Sequence, residues 1–213
     1  NFVLPKKLGE YSLVKNHYLC TLMKKIFILN LLFLLALSPA QENTAKKALY
    51  VKGNILSLAV LMPNFGLEYQ LSSKFTLQGD VFISPWKTFA GRHMQVYMGH
   101  MEGRYYFREA FKGWYVGANA GMAVFDISKW NYTSERYQRG FNYMLGAAVG
   151  YQLQWAERWN ADFFLGGGTS QGFYHGYEQK EEGISRYEKS APWNKSGEWI
   201  PYRGGVMISY KLR

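Results

Sequence analysis

The sequence predicts an all-β protein, an eight-stranded antiparallel up-and-down transmembrane β-barrel preceded by a cleavable signal peptide. Three observations predict it. First, residues 95–107 alternate: Tyr97, Gly99, Met101, Gly103, Tyr105 and Phe107 share one face, and Met98, His100, Glu102, Arg104 and Tyr106 share the other. After a short polar connection at residues 108–113, residues 114–125 alternate again, with Trp114, Val116, Ala118, Ala120, Met122 and Val124 on one side. Period two marks β-strands. Second, ordinary strands have about five or six residues, whereas these runs reach the ~9–11 that cross a bilayer. Third, one face is apolar and aromatic while the other is polar and charged, the pattern of a membrane barrel.

The first 47 residues stand apart. Residues 1–22 carry no pattern and read as upstream translation outside the fold; Cys20, the single cysteine, lies there, so no disulfide framework or thiolate metal site is expected in the mature chain. Met23 opens a signal peptide over 23–40. Lys24 and Lys25 form its positive start, residues 26–37 are apolar except Asn30, and Ser38-Pro39-Ala40 places small residues before the cut. This apolar run is too short to span a bilayer as a helix. Residues 41–47 form a polar leader, and 48–213 form the barrel.

The strands follow in order. Residues 49–57 put Leu49, Val51, Gly53 and Ile55 opposite Tyr50, Lys52 and Asn54. Residues 58–63 lead to a second strand at 64–70, and Ser72-Ser73 turns the chain into a third at 75–84. A loop at 85–94 precedes the hairpin already described. A polar loop at 126–139 precedes strand six at 140–151, residues 152–158 connect to strand seven at 159–173, and a long polar loop at 174–197, with the charged run 178–182, precedes strand eight at 198–212. The connections after strands two, four and six are short; those after three, five and seven are longer. Outer-membrane barrels have short periplasmic turns and long extracellular loops, so both termini are expected to be periplasmic.

Composition agrees with this reading. Beyond residue 40 no apolar run is long enough for a membrane helix. From Gln41 onward 20 Lys and Arg face 14 Asp and Glu, a net of +6. The basic residues are scattered, whereas a nucleic-acid surface needs a clustered stripe, so no nucleic-acid partner is expected.

Two residue sets carry the expected architecture. An aromatic girdle comprises Phe75, Phe107, Trp114, Tyr151, Trp159 and Tyr210 at the periplasmic strand ends and Tyr97 and Tyr202 near the others, with Phe141 beside them. A charge network lines the inside: Lys52, Arg104, Arg203 and Lys211 against Glu68, Asp80, Glu102 and Asp162. Eight strands enclose a space about wide enough for side chains, and buried charges must be paired, so these residues are expected to plug the lumen. Glu102 and Arg104 lie about 7 Å apart along their strand, so their partners are sought on neighbouring strands, among Lys52, Asp80 and Asn119.

By the fourth strand the residues resemble a known family. Lys52-x-Asn54, Pro63-Asn64-x-Gly66-x-Glu68, Pro85-Trp86, Glu102-x-Arg104-Tyr105-Tyr106-Phe107, Gly113 and Gly117 are similar to domain of unknown function 3575. The resemblance spans nearly the whole mature chain. It implies a small outer-membrane β-barrel of Gram-negative bacteria and supplies no catalytic residues. The chain departs from the usual aromatic C-terminal residue of such barrels, ending Tyr210-Lys211-Leu212-Arg213.

Function is less constrained than fold. The first expectation is a non-enzymatic monomer, without cofactor or metal, that contacts outer-membrane lipid and the barrel assembly machinery and meets an unidentified extracellular partner through its loops. The alternatives are a narrow channel and a lipid-modifying enzyme using Ser170 and His175 with Asp126 or Glu178 as the acid. His93, His100 and His175 lack metal-site spacing. Paired Glu102 and Asp80 are kept ionised by Arg104 and Lys52, which disfavours a general acid. No helix follows Gly166-Gly167-Gly168, so that run is read as relieving crowding in strand seven rather than as a phosphate loop.

Overall fold

The computed structural model describes residues 47–129, 133, 135–180, 183–187 and 191–213. The expected signal peptide at 23–40, residues 1–22 with Cys20, and the expected leader up to residue 46 lie outside the described residues, as do Glu181 and Glu182 of the charged run. Among the described residues the protein is all-β: nine strands form one antiparallel sheet that closes into a ring. They are β1 (Leu49–Asn54), β2 (Asn64–Gln70), β3 (Phe75–Ser84), β4 (Met94–Tyr106), β5 (Gly113–Ile127), β6 (Arg136–Gln154), β7 (Trp159–Lys180), β8 (Gly183–Tyr187) and β9 (Asn194–Lys211). Sequence neighbours pair from β1 to β7, β7 pairs β9, and β9 pairs β1 from Tyr50↔Lys211 to Asn54↔Met207. Eight strands therefore make the ring.

The ninth, β8, corrects the expected strand count. It pairs only with the upper part of β7, from Gly176↔Tyr187 to Lys180↔Gly183. The segment expected as one long loop is instead an extension of β7, a short hairpin and the start of β9. Arg136 and Glu178 are register partners across β6 and β7 and are joined by a 2.6 Å hydrogen bond. The Arg136 guanidinium beside Glu178 holds that carboxyl below its ordinary range.

The first strand is shorter than expected because Asn54 ends it. Its side chain accepts a hydrogen bond from Leu56 N at 3.1 Å, capping a five-residue helix, α1 (Ile55–Ala59). At the opposite end of the ring, Ser72 Oγ accepts from Lys74 N and Phe75 N, fixing the β2–β3 turn. That near end also carries the connections at 107–112 and 155–158 and both ends of the ring's chain, where Leu49 N donates to Arg213 O.

Side chains sort inside out relative to a water-soluble ring. Glu68, Glu102, Arg104 and Asp162 are fully buried, while Val116, Met122, Val124, Leu145, Val149, Phe163 and Leu165 are exposed on the outside. Six girdle residues form the near-end row: Phe75, Phe107, Trp114, Tyr151 and Trp159 are exposed, and Tyr210 is half-buried against Trp159 at 4.9 Å. Trp114 meets Tyr151 at 5.3 Å and Phe75 meets Tyr105 at 5.0 Å. Tyr97 lies outside towards the far end, as do Phe141 and Phe173, whose rings stack at 5.4 Å.

Tyr202 is a correction: it turns inward. Gly166 pairs Arg203 and Gly168 pairs Ile200, so two steps on β7 face three on β9. The extra residue is a bulge beside Pro201, which has no N–H for the ladder. Alternation slips by one, and Tyr202 follows Arg203 into the ring, its hydroxyl donating to Asn119 Oδ1 at 2.6 Å. Trp199 takes the outward position instead.

At the bulge the glycines of β7 lie close against the backbones of β6 and β9. A Cβ on Gly168 would overlap the Leu145 carbonyl oxygen and Gly146 Cα, both backbone atoms that cannot swing aside. We expect Gly168→Ala to cost ~1–3 kcal/mol through overpacking, read as a lower midpoint of urea unfolding. A glycine in open space, Gly103, is the control; its alanine variant should stay within ~0.5 kcal/mol of the parent.

Candidate functional site

The ring interior is the candidate site, and it forms two polar layers over an aromatic floor. The floor comes from the connection at 107–112. Phe111 folds inward with φ 69° and packs on Tyr50 at 4.3 Å and Tyr106 at 6.2 Å. Asn160 Nδ2 holds the Phe111 carbonyl at 3.3 Å. A positive φ at a bulky residue is strained, and burial of the ring offsets the cost.

The lower layer gathers residues from six strands. Lys52 Nζ donates to Glu68 Oε2 at 2.7 Å, to Gln78 Oε1 at 3.0 Å, and to Asp162 Oδ2. Arg104 Nη1 bridges Glu68 at 3.1 Å and Asp162 at 2.7 Å, and its Nε donates to Glu102 Oε1 at 2.6 Å. Thr76 and Tyr106 hydroxyls complete Glu68, the Tyr115 hydroxyl completes Asp162, and the Arg104 guanidinium lies 4.4 Å above the Tyr115 ring. Glu68 and Asp162 each have two cations and a further hydroxyl donor, which is what buried charge requires, whereas Glu102 has Arg104 on Oε1 and no hydrogen bond to Oε2 among the described residues.

In the upper layer Arg203 Nη2 donates to Asp80 Oδ1 at 2.8 Å, and Arg203 Nε lies 3.3 Å from Glu102 Oε2 as an ion pair without hydrogen-bond alignment. Gln78 Nε2 and Asn64 Nδ2 complete Asp80. The His100 ring lies parallel to Tyr202 at 5.7 Å, with Nδ1 3.5 Å from Asp80 Oδ2. Beyond this layer a cavity of about 320 Å³ opens, lined by Asn54, Asn64, Asp80, His100, Tyr202 and Arg203 and by apolar Leu56, Phe82, Met98 and Phe164.

The structure thus brings seven of the eight expected charges together. Lys211 stands apart: it ends β9 at the near rim, beside Tyr50, and has no ion pair among the described residues. Three Lys and Arg therefore face four carboxylates. Glu102 and Arg104 bond directly, because the guanidinium folds back along its own strand; neither Lys52 nor Asp80 partners Glu102, and Asn119 is held by Tyr202 instead. Thr76, Gln78, Tyr106, Tyr115, Gln152 and Phe111 also build the interior. All but Phe111 lie on the inward period-two positions, a signal that charge alone left unused.

The chain matches, over residues 27–212, the model of a family described as Protein of unknown function (DUF3575). The chain belongs to this family. No curated protein and no solved structure matches it. The family's description assigns no activity, so the chemistry must be read from the residues themselves.

In this family member the Ser170 and His175 arrangement does not assemble. The two residues are an odd number apart on β7 and point to opposite faces. Ser170 is buried inside, accepting from Asn142 Nδ2 at 2.8 Å, while His175 stacks on Trp193 at 4.1 Å. Asp126 instead meets His93 Nδ1 at 2.8 Å and Arg139 Nη2 at 2.7 Å, and Glu178 meets Arg136. Among the described residues no group of three His, Cys, Asp or Glu is placed to hold a metal ion.

Proposed function

We propose that the ring is a transmembrane β-barrel of a Gram-negative outer membrane, delivered by the signal peptide at 23–40, inserted by the barrel assembly machinery, and monomeric in surrounding lipid. The observation that carries this reading is the height of the apolar outer band. On three strands the outward face runs from a near-end aromatic residue to a polar one twelve positions along, Phe107 to Gln95, Trp114 to Asp126 and Tyr151 to Arg139, and on β7 it runs ten positions from Trp159 to Thr169. At ~3.4 Å per residue and a tilt of ~40°, the ten positions from Trp114 to Val124 rise about 26 Å. That is the height of the lipid-facing band of such barrels, about 25 Å. No described helix is long and apolar enough to cross a membrane, and in this reading the strands are the crossing elements.

The barrel is a non-catalytic surface protein. Its charged interior is a plug that fixes strand register, and the long connections at the far end face outward to meet a partner. Expression in a Gram-negative host tests the reading. The protein should co-sediment with outer membranes with Gln41 as its N-terminus. An epitope between β8 and β9 should label on intact cells, and one at residues 71–74 only after permeabilisation. Recovery in the soluble fraction overturns the membrane assignment, and surface labelling at 71–74 reverses the barrel.

A further inference from the structure

The cavity above the plug has a chemistry of its own. Its volume of about 320 Å³ is at the small end of ligand sites, ~300–1,000 Å³. Its floor carries polar atoms without a hydrogen-bond partner. Arg203 is 6% exposed, and its Nη1 has no hydrogen-bond partner among the described residues; His100 is 5% exposed, its Nδ1 faces Asp80 Oδ2 at 3.5 Å, and its Nε2 has no hydrogen-bond partner there. Buried polar atoms of this kind are normally satisfied, so each orphan in a cavity marks a place for an incoming group.

Charge selects the class of that group. Arg203 already faces Asp80 and Glu102, and the interior holds three fixed cations against four carboxylates. An anion would enter a region already negative. A cation would meet the unpartnered guanidinium nitrogen, while both Asp80 oxygens are occupied by Arg203, Gln78 and Asn64. A neutral group that both accepts and donates fits: its oxygen accepts from Arg203 Nη1, and its hydrogen goes to His100 Nε2, Nδ1 being turned to Asp80. Hydroxyls do both. The walls above are Phe82, Met98 and Leu56, with the Tyr202 ring and Phe164 alongside, so the rest of the ligand needs C–H surface to lay against aromatic faces.

We infer that this cavity binds a neutral hydroxyl-rich ligand of one sugar ring. This deepens the surface-interaction reading by naming a ligand class, and entry from outside the cell rests on that reading. Binding itself does not, because the cavity belongs to the ring wherever the ring resides.

The test uses the full mature chain in a zwitterionic detergent without a sugar head. The methionine methyl groups carry ¹³C, and the Met98 signal is assigned by Met98→Leu. Glucose, galactose, mannose and N-acetylglucosamine are titrated, with acetate, phosphate and choline as charged comparators. At least one sugar should shift the Met98 methyl saturably, with a dissociation constant of ~10 mM or tighter, and the charged probes should not. His100→Phe keeps the ring on Tyr202 and removes both nitrogens; it should weaken binding at least ~tenfold. Phe82→Trp fills the cavity while sparing the charge network and should abolish the shift. Silence from all four sugars, an equal response to acetate or choline, or binding that survives Phe82→Trp overturns the proposal. Outer-membrane fractionation is scored separately, so failure there leaves the sugar result standing.

Discussion

Arg104→Met should cost at least ~3–5 kcal/mol, the range for breaking a buried charge pair by removing one partner. Arg104 has no exposed side-chain surface and contacts three carboxylates at once: Glu68, Glu102 and Asp162. Its loss leaves Lys52 to balance Glu68 and Asp162, in an interior already one cation short. Arg104→Lys should recover only part of the loss. A lysine is a single point of charge on a flexible stem, and it cannot present one nitrogen to Glu102 and another to Glu68 and Asp162 as the planar fork does. Pairing Arg104→Met with Glu102→Gln should restore part of the stability, because one orphaned carboxylate disappears with the cation it faced. Glu102→Ala alone should cost less than Arg104→Met, since it removes the single surplus negative charge of the interior. Urea unfolding midpoints in detergent rank the four variants, and Arg104→Met as stable as the parent would mean that the interior is wet enough to screen the charges.

Period-two alternation made most of the interior legible before any coordinates. It placed Lys52, Glu68, Asp80, Glu102, Arg104, Asp162 and Arg203 on inward faces, where they meet. It failed where the backbone breaks period. Tyr202 sits at a bulge, and the local signal was Pro201, which cannot join a ladder. Residues 55–59 leave the strand because Asn54 caps a helix, a signal carried by one side chain. Phe111 reads as part of a polar turn, and only the closed ring shows that its floor needs a ring there. β8 was missed because polar, charged residues at 174–197 favour a loop by composition, while the pairing with β7 that orders residues 183–187 is set by tertiary contact. Lys211 had the right face and the wrong height: alternation gives direction but says nothing of depth.

Depth is what the outer band tests most directly. Leu145 is 61% exposed and lies six positions from both Tyr151 and Arg139 on β6, at the centre of the apolar band. In a bilayer, Leu145→Arg should destabilise the protein by ~2–4 kcal/mol, the cost of a cation at the midplane of a membrane barrel. Gln95→Arg, at the upper boundary of the same band, should cost ~0–1 kcal/mol, because its charge reaches the headgroups. The contrast separates lipid from water. An exposed leucine on a ring surrounded by water tolerates arginine within ~0.5 kcal/mol, with no dependence on height along the strand. Unfolding by urea from lipid vesicles, with both variants and the parent in parallel, supplies the two differences. A depth-dependent penalty fixes the bilayer centre at Leu145. Equal, small effects at both positions would place the apolar band against something other than a hydrocarbon core and remove the height argument on which the membrane reading rests.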